Sequence, residues 1–132
     1  MTPEAKVKKV VTKQLKELGA YYFYPATGGY GKSGVPDIVG CYKGFFFGFE
    51  CKAGKNVATP LQEKNLAEIK AADGLDLIVN EDNMHDVSEI LDDEANHRNF
   101  LTHYLFNWLS CERPIHSRKY PQQYGQSLQT FY

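Results

Sequence analysis

Apolar residues first recur at spacings of four and three, at Val7, Val11, Leu15 and Leu18, which predicts an amphipathic helix over residues 3–18. Thr2 suits its N-cap, Pro3 its first turn and Gly19 its carboxy-terminal stop. The period then changes to that of extended chain. Residues 20–24 form an aromatic run ended by Pro25, and two further apolar segments, 37–42 and 45–52, flank Lys43-Gly44, predicting a strand and then a β-hairpin. Lysine is not a favoured first residue of such a turn. A second helix is predicted over 60–72, opened by the capping-box signature Thr59-Pro60-Leu61-Gln62 and closed before Gly74. Residues 75–79 read as a short buried strand, and 83–91 as a third helix with Met84, Val87, Ile90 and Leu91 on one face. The order helix, strand, hairpin, helix, strand, helix predicts an α/β fold with a mixed sheet flanked by helices. After Asp92-Asp93-Glu94, residues Leu101, Tyr104, Leu105, Trp108 and Leu109 predict a further helix, followed by a tail ending in Phe131-Tyr132. Residues 1–92 thus read as the main domain and 93–132 as a carboxy-terminal helical and aromatic extension.

Composition narrows the class. A chain of 132 residues, 42% hydrophobic and 23% charged, suits one folded domain and not a disordered one. No apolar run approaches the roughly 20 residues that span a bilayer, so the expected setting is cytoplasmic, with no membrane partner. Three cysteines without a CxxC pair argue against a disulfide framework or a zinc site, and are expected to be reduced and buried. The net charge of −1 speaks at first against a nucleic-acid partner. Counted by segment, however, residues 1–60 carry nine Lys/Arg against four Asp/Glu, and residues 61–99 carry three against eleven. The chain is polarised, and its basic half is free to face a polyanion.

The candidate chemistry lies in that basic half. If Lys43-Gly44 are the turn, antiparallel partners have numbers summing to 87, which sets Asp37 opposite Glu50 on one face with Cβ atoms about 4.5–5.5 Å apart. Two carboxylates so placed repel, and a hard divalent cation removes the conflict. Lys52, two residues beyond Glu50, shares its face and is suited to act on a metal-activated water or to neutralise phosphate charge. Gly48, on that face too, is expected to leave room for a nucleic-acid backbone. Cys51 alternates inward with Phe47 and Phe49.

Asp37 after Pro36, with Glu50-Cys51-Lys52, resembles the PD-(D/E)xK nuclease signature. The wider string, Glu4, Gly34-Val35-Pro36-Asp37, Phe49-Glu50-Cys51-Lys52-Ala53-Gly54 and Thr59-Pro60-Leu61-Gln62, is similar to the virus-type replication-repair (VRR-Nuc) branch of that superfamily. The resemblance implies a restriction-endonuclease-like fold over about residues 3–92. It also implies a site in which Asp37, Glu50 and the backbone carbonyl of Cys51 hold Mg²⁺ or Mn²⁺, completed by Glu4 through water. Lys52 would then act on the attacking water, with Gln62 near the catalytic centre. Gln62 is also the capping-box residue, and one side chain pointing two ways looks contradictory.

Candidate DNA contacts are Tyr30, Lys32 and Ser33 in the glycine-rich loop, and Lys6, Lys9, Lys13 and Lys16 along one side of the first helix. Each has a plainer reading as flexible loop or solvated surface. The expected activity is metal-dependent hydrolysis of DNA phosphodiester bonds, with four-way junctions as substrate and a homodimer as the working form, since small members of the family resemble junction-resolving enzymes. The alternatives are a nuclease acting on linear duplex or flap DNA, and a non-catalytic DNA-binding module on the same fold. The tail aromatics, among them Phe106, Trp108, Tyr120, Tyr124, Phe131 and Tyr132, are expected to join the dimer interface.

Overall fold

The computed structural model describes residues 1–26 and 29–109. Helix α1 (Pro3–Leu18) leads into strand β1 (Tyr21–Phe23), the hairpin β2 (Ile38–Tyr42) and β3 (Phe45–Cys51), helix α2 (Pro60–Ala71), strand β4 (Leu75–Val79) and helix α3 (Val87–Leu109). The four strands form one mixed sheet in the order β1-β2-β3-β4, antiparallel except for the parallel pair β3–β4. The parallel pair follows from the α2 crossover, which returns the chain to the starting end of β3. The expected α/β architecture is therefore present.

The caps behave as their residue types require. Thr2 accepts from the Ala5 N–H at 3.2 Å, and Gly19 closes α1 with φ 72°. At the hairpin turn both Lys43 (φ 43°) and Gly44 (φ 88°) take the left-handed conformation that a two-residue turn needs to match strand twist. Lys43 is an uncommon residue there, but its ammonium lies 5.3 Å from the Tyr42 ring centre and 3.9 Å from Asp92 Oδ1, which offsets the conformational cost.

Each strand of the sheet has two distinct faces. On one, Ile38, Tyr42, Phe45, Phe47, Phe49, Cys51 and Val79 pack with Val7, Val11 and Leu15 of α1 and Val87, Leu91 and Ala95 of α3 to form the core. The other face carries Val39, Cys41, Phe46, Gly48 and Glu50, with α2 laid over β3 and β4. Because α2 leaves the β1–β2 side of that face uncovered, Tyr21 and Phe23 are exposed, as is Phe46 at the hairpin end of β3. Cys41 is exposed there as well, contrary to the expectation of three buried thiols. Cys51 is buried as expected, and Cys111 lies outside the described residues.

The pattern also predicts a third helix from residue 83 and a separate helix after residue 94, whereas α3 is one helix starting at Val87. Neither Gly nor Pro interrupts residues 87–109, and the buried stripe Val87, Leu91, Ala95 continues through the acidic stretch. Residues 80–86 form a turn, in which Asn83 Oδ1 accepts from the Asn80 N–H at 2.8 Å. The chain divides into two compact units, residues 1–98 and 99–132. Most of the aromatic tail, and with it the interface expected of it, lies outside the described residues. Among the described residues no helix is long and apolar enough to cross a membrane.

Candidate active site

The approach to Asp37 is anchored on α2. Gly34 has φ 74°, and a Cβ there would stand 2.6 Å from Leu61 Cγ, so both conformation and space require glycine. The buried Asn65 amide donates to the Ser33 carbonyl at 3.0 Å and to the Leu61 carbonyl at 2.9 Å, tying the end of the glycine-rich loop to the helix. Pro36 then delivers Asp37 to the start of β2.

The hairpin register pairs Ile38 with Phe49 and Tyr42 with Phe45, every pair summing to 87 as the two-residue turn dictates. Asp37 stands one residue before the first of these pairs, close enough to Glu50 for the two carboxyls to interact. Asp37 Oδ2 accepts from the Cys51 N–H at 2.9 Å, while Oδ1 lies 3.2 Å from Lys8 Nζ. Glu50 is only 1% exposed. Its Oε1 accepts from Gln62 Nε2 at 2.7 Å and lies 3.2 Å from Lys52 Nζ, whereas its Oε2 is buried with no hydrogen-bond partner. Burial, reinforced by the Asp37 charge, pushes the Glu50 carboxyl above its ordinary range, and Lys52 pulls the other way. Lys52 is also 4.0 Å from Glu4 Oε1. The site is thus a cluster of three acids (Glu4, Asp37 and Glu50) and two lysines (Lys8 and Lys52), with Glu4 and Lys8 supplied by the first turns of α1 and Gln62 by the start of α2.

Gln62 resolves the apparent contradiction between its two roles. Its Oε1 accepts from the Thr59 N–H at 2.9 Å, the Gln62 N–H donates to Thr59 Oγ1 at 3.2 Å, and the opposite end of the same amide reaches Glu50. The cap fixes the amide so that its NH₂ group points at the carboxylate. Gly48 does not leave room for nucleic acid: a Cβ there would meet Ile69 Cδ1 at 2.6 Å and Pro36 Cγ at 3.0 Å, so its bare backbone admits α2 instead. Cys51 has its thiol in the core, pushed up to about 12 chiefly by burial, and presents only backbone to the site.

The expected DNA contacts are scattered around this centre. Tyr30 is fully exposed, and Lys32 is ion-paired with Glu68 of α2. Lys6, Lys9, Lys13 and Lys16 are exposed along α1. Lys8 was not singled out by the sequence pattern, yet it is the lysine of α1 that reaches the acids. Its signal was present: it stands four residues after Glu4, one turn along the same helix face.

No protein-family model matches the chain, and no curated protein matches it in sequence.

The donor set itself narrows the chemistry. Among the described residues no three His, Cys, Asp or Glu side chains are grouped so as to hold a metal ion, Glu4, Asp37 and Glu50 included. Two carboxylates, one with a desolvated and unpartnered oxygen, fit Mg²⁺ or Mn²⁺, which bind through one or two carboxylates and take other ligands from water and substrate phosphate. A cavity of about 320 Å³, lined by Thr2, Glu4, Ala53, Asn56 and Glu81 among others, opens beside this centre. A larger one of about 500 Å³ lies on the same sheet face between Phe23, Val39, Phe46 and Ile69, and is almost wholly apolar.

Proposed function

We propose that the protein is a metal-dependent endonuclease that hydrolyses DNA phosphodiester bonds on a restriction-endonuclease-like fold of the VRR-Nuc type. The observation that carries this reading is the buried, unpartnered Glu50 Oε2 beside Asp37, with Lys52 at 3.2 Å from the other Glu50 oxygen. An ordinary hairpin gains nothing from two neighbouring acids, one of them with a desolvated oxygen that lacks a hydrogen-bond partner. Asp37 and Glu50 would hold Mg²⁺ or Mn²⁺, with the Cys51 carbonyl as the resemblance implies and Glu4 at the rim. When bound, such an ion supplies Lewis acidity toward phosphate oxygen and lowers the pKa of water.

The chain's own groups supply the rest. Gln62 orients Glu50 through an amide whose far end is locked in the α2 cap. Lys52, held between Glu50 and Glu4, places a positive charge where an attacking oxygen or a pentavalent phosphate would carry negative charge. The exposed lysines of α1 offer sequence-independent contacts to the phosphate backbone. The family resemblance favours branched DNA and a homodimer, in which a two-fold axis would match paired cuts on two strands.

A cleavage panel tests this: four-way junction, flap and linear duplex, each with Mg²⁺ and with Mn²⁺. Wild type should cut the junction best, and Asp37→Ala should lose at least about 10³-fold in rate while still binding DNA. Retained binding without any cleavage by wild type would favour the non-catalytic module instead.

A further inference from the structure

We infer that Lys8 is the exchangeable counter-ion of the site: it occupies Asp37 Oδ1 until a divalent cation takes that oxygen, and so sets the cation concentration at which the site loads. The inference rests on reading Asp37 and Glu50 as cation ligands.

The two oxygens of Asp37 are differently committed. Oδ2 accepts from the Cys51 N–H at 2.9 Å, a side-chain bond to the backbone at the end of β3 that ties the residue before β2 to its neighbour. Oδ1 is left for a cation, and Lys8 Nζ lies 3.2 Å from it. A divalent ion and an ammonium cannot both sit against one oxygen without strong like-charge repulsion. Binding through Oδ1 therefore requires Lys8 to leave.

The two lysines of the site differ in how readily they can do so. The Lys52 side chain is 13% exposed and held between Glu50 and Glu4, whereas that of Lys8 is 34% exposed with Asp37 as its ion-pair partner. Lys8 can turn outward by side-chain rotation alone. Its helix need not move, because Val7 and Val11 on either side in sequence are locked in the core. A lysine side chain is an ammonium at neutral pH, so the positive charge 3.2 Å from Asp37 Oδ1 is a standing competitor there.

Titration of the intact protein with Mn²⁺, followed by loss of the free-ion electron paramagnetic resonance signal, tests this without reference to cleavage. Lys8→Met and Lys8→Gln should each bind Mn²⁺ about three- to tenfold more tightly than wild type, the size expected for removing one partly screened competing charge. Lys8→Arg should stay close to wild type. Unchanged or weaker Mn²⁺ binding in both neutral variants, alongside wild-type binding that Asp37→Asn weakens, would overturn the counter-ion role alone. Absence of Mn²⁺ binding by wild type, or binding indifferent to Asp37→Asn, would overturn the cation-site reading and this inference with it.

Discussion

Strand β3 is two strands in one. Its inward residues Phe45, Phe47, Phe49 and Cys51 are buried among apolar side chains from α1 and α3, with Phe47 and Phe49 stacked at 4.7 Å between ring centres. Its outward residues Phe46, Gly48 and Glu50 run from exposed aromatic, through a bare backbone under α2, to a buried acid. The same backbone therefore serves as wall and as workbench. Packing on one face fixes the strand rigidly enough for the other to hold a carboxylate where solvation alone would never keep it.

The sharpest break of this contrast is a matched pair of truncations. Phe47→Ala should cost about 3–5 kcal/mol, since it removes a fully buried ring stacked on Phe49. Phe46→Ala, one residue away but 46% exposed, should cost less than about 1 kcal/mol. Urea unfolding of both variants checks this, and equal losses would mean that the outward face is packed in solution.

The next effect is smaller and of opposite sign. Glu50→Gln should abolish the proposed cleavage yet stabilise the protein by about 1 kcal/mol at pH 7 without divalent cation, because an amide does not carry the desolvated charge. The Glu50 carboxyl is held above its ordinary 4.5, mainly by burial, so the ionised form is disfavoured in the fold. Wild-type stability from this group is then full below pH about 4.5 and falls as pH rises through the folded value. Thermal unfolding of wild type and variant should nearly coincide at acid pH and separate above it. A variant less stable at pH 7 would show that the Lys52 ion pair outweighs the desolvation.

How far the sequence alone could see follows from the same two faces. The hairpin register was legible because the turn residues and the alternation each specify it, and a one-residue slip would have placed Phe47 and Phe49 outside. Asp37, Glu50 and Lys52 were legible as a group for that reason. Gly48 was misread because alternation shows which face a residue is on but not what covers that face, and the cover is the α2 residue Ile69, 21 positions on. Lys8 was missed because the regular spacing of Lys6, Lys9, Lys13 and Lys16 marks the solvent-facing side of α1, whereas the mark of Lys8 is its place one turn after Glu4. The break expected after Leu91 was inferred from charge, yet acids at solvent-facing positions do not end a helix whose buried stripe continues.

A last effect, no larger than that of Glu50→Gln, sharpens the comparison from the core side. Tyr42 is 7% exposed, and its hydroxyl donates to Asp92 Oδ1 of α3 at 2.5 Å, so the core face satisfies its polar group where the other face leaves Glu50 Oε2 unpartnered. Tyr42→Phe should cost about 1 kcal/mol, the ordinary net worth of such a bond, because Asp92 retains Lys43 at 3.9 Å. The hydrogen bond to Asp92, aided by burial, raises the phenol above its ordinary 10.0. Its contribution is therefore full at all pH values below about 10 and is lost as pH rises through the folded value. The gap between wild type and Tyr42→Phe should stay flat from pH 6 to pH 9 and close in stronger base, whereas the Glu50→Gln gap opens on leaving acid. If both gaps moved over the same pH range, the two faces would not be titrating independently, and the separation of wall from workbench would fail.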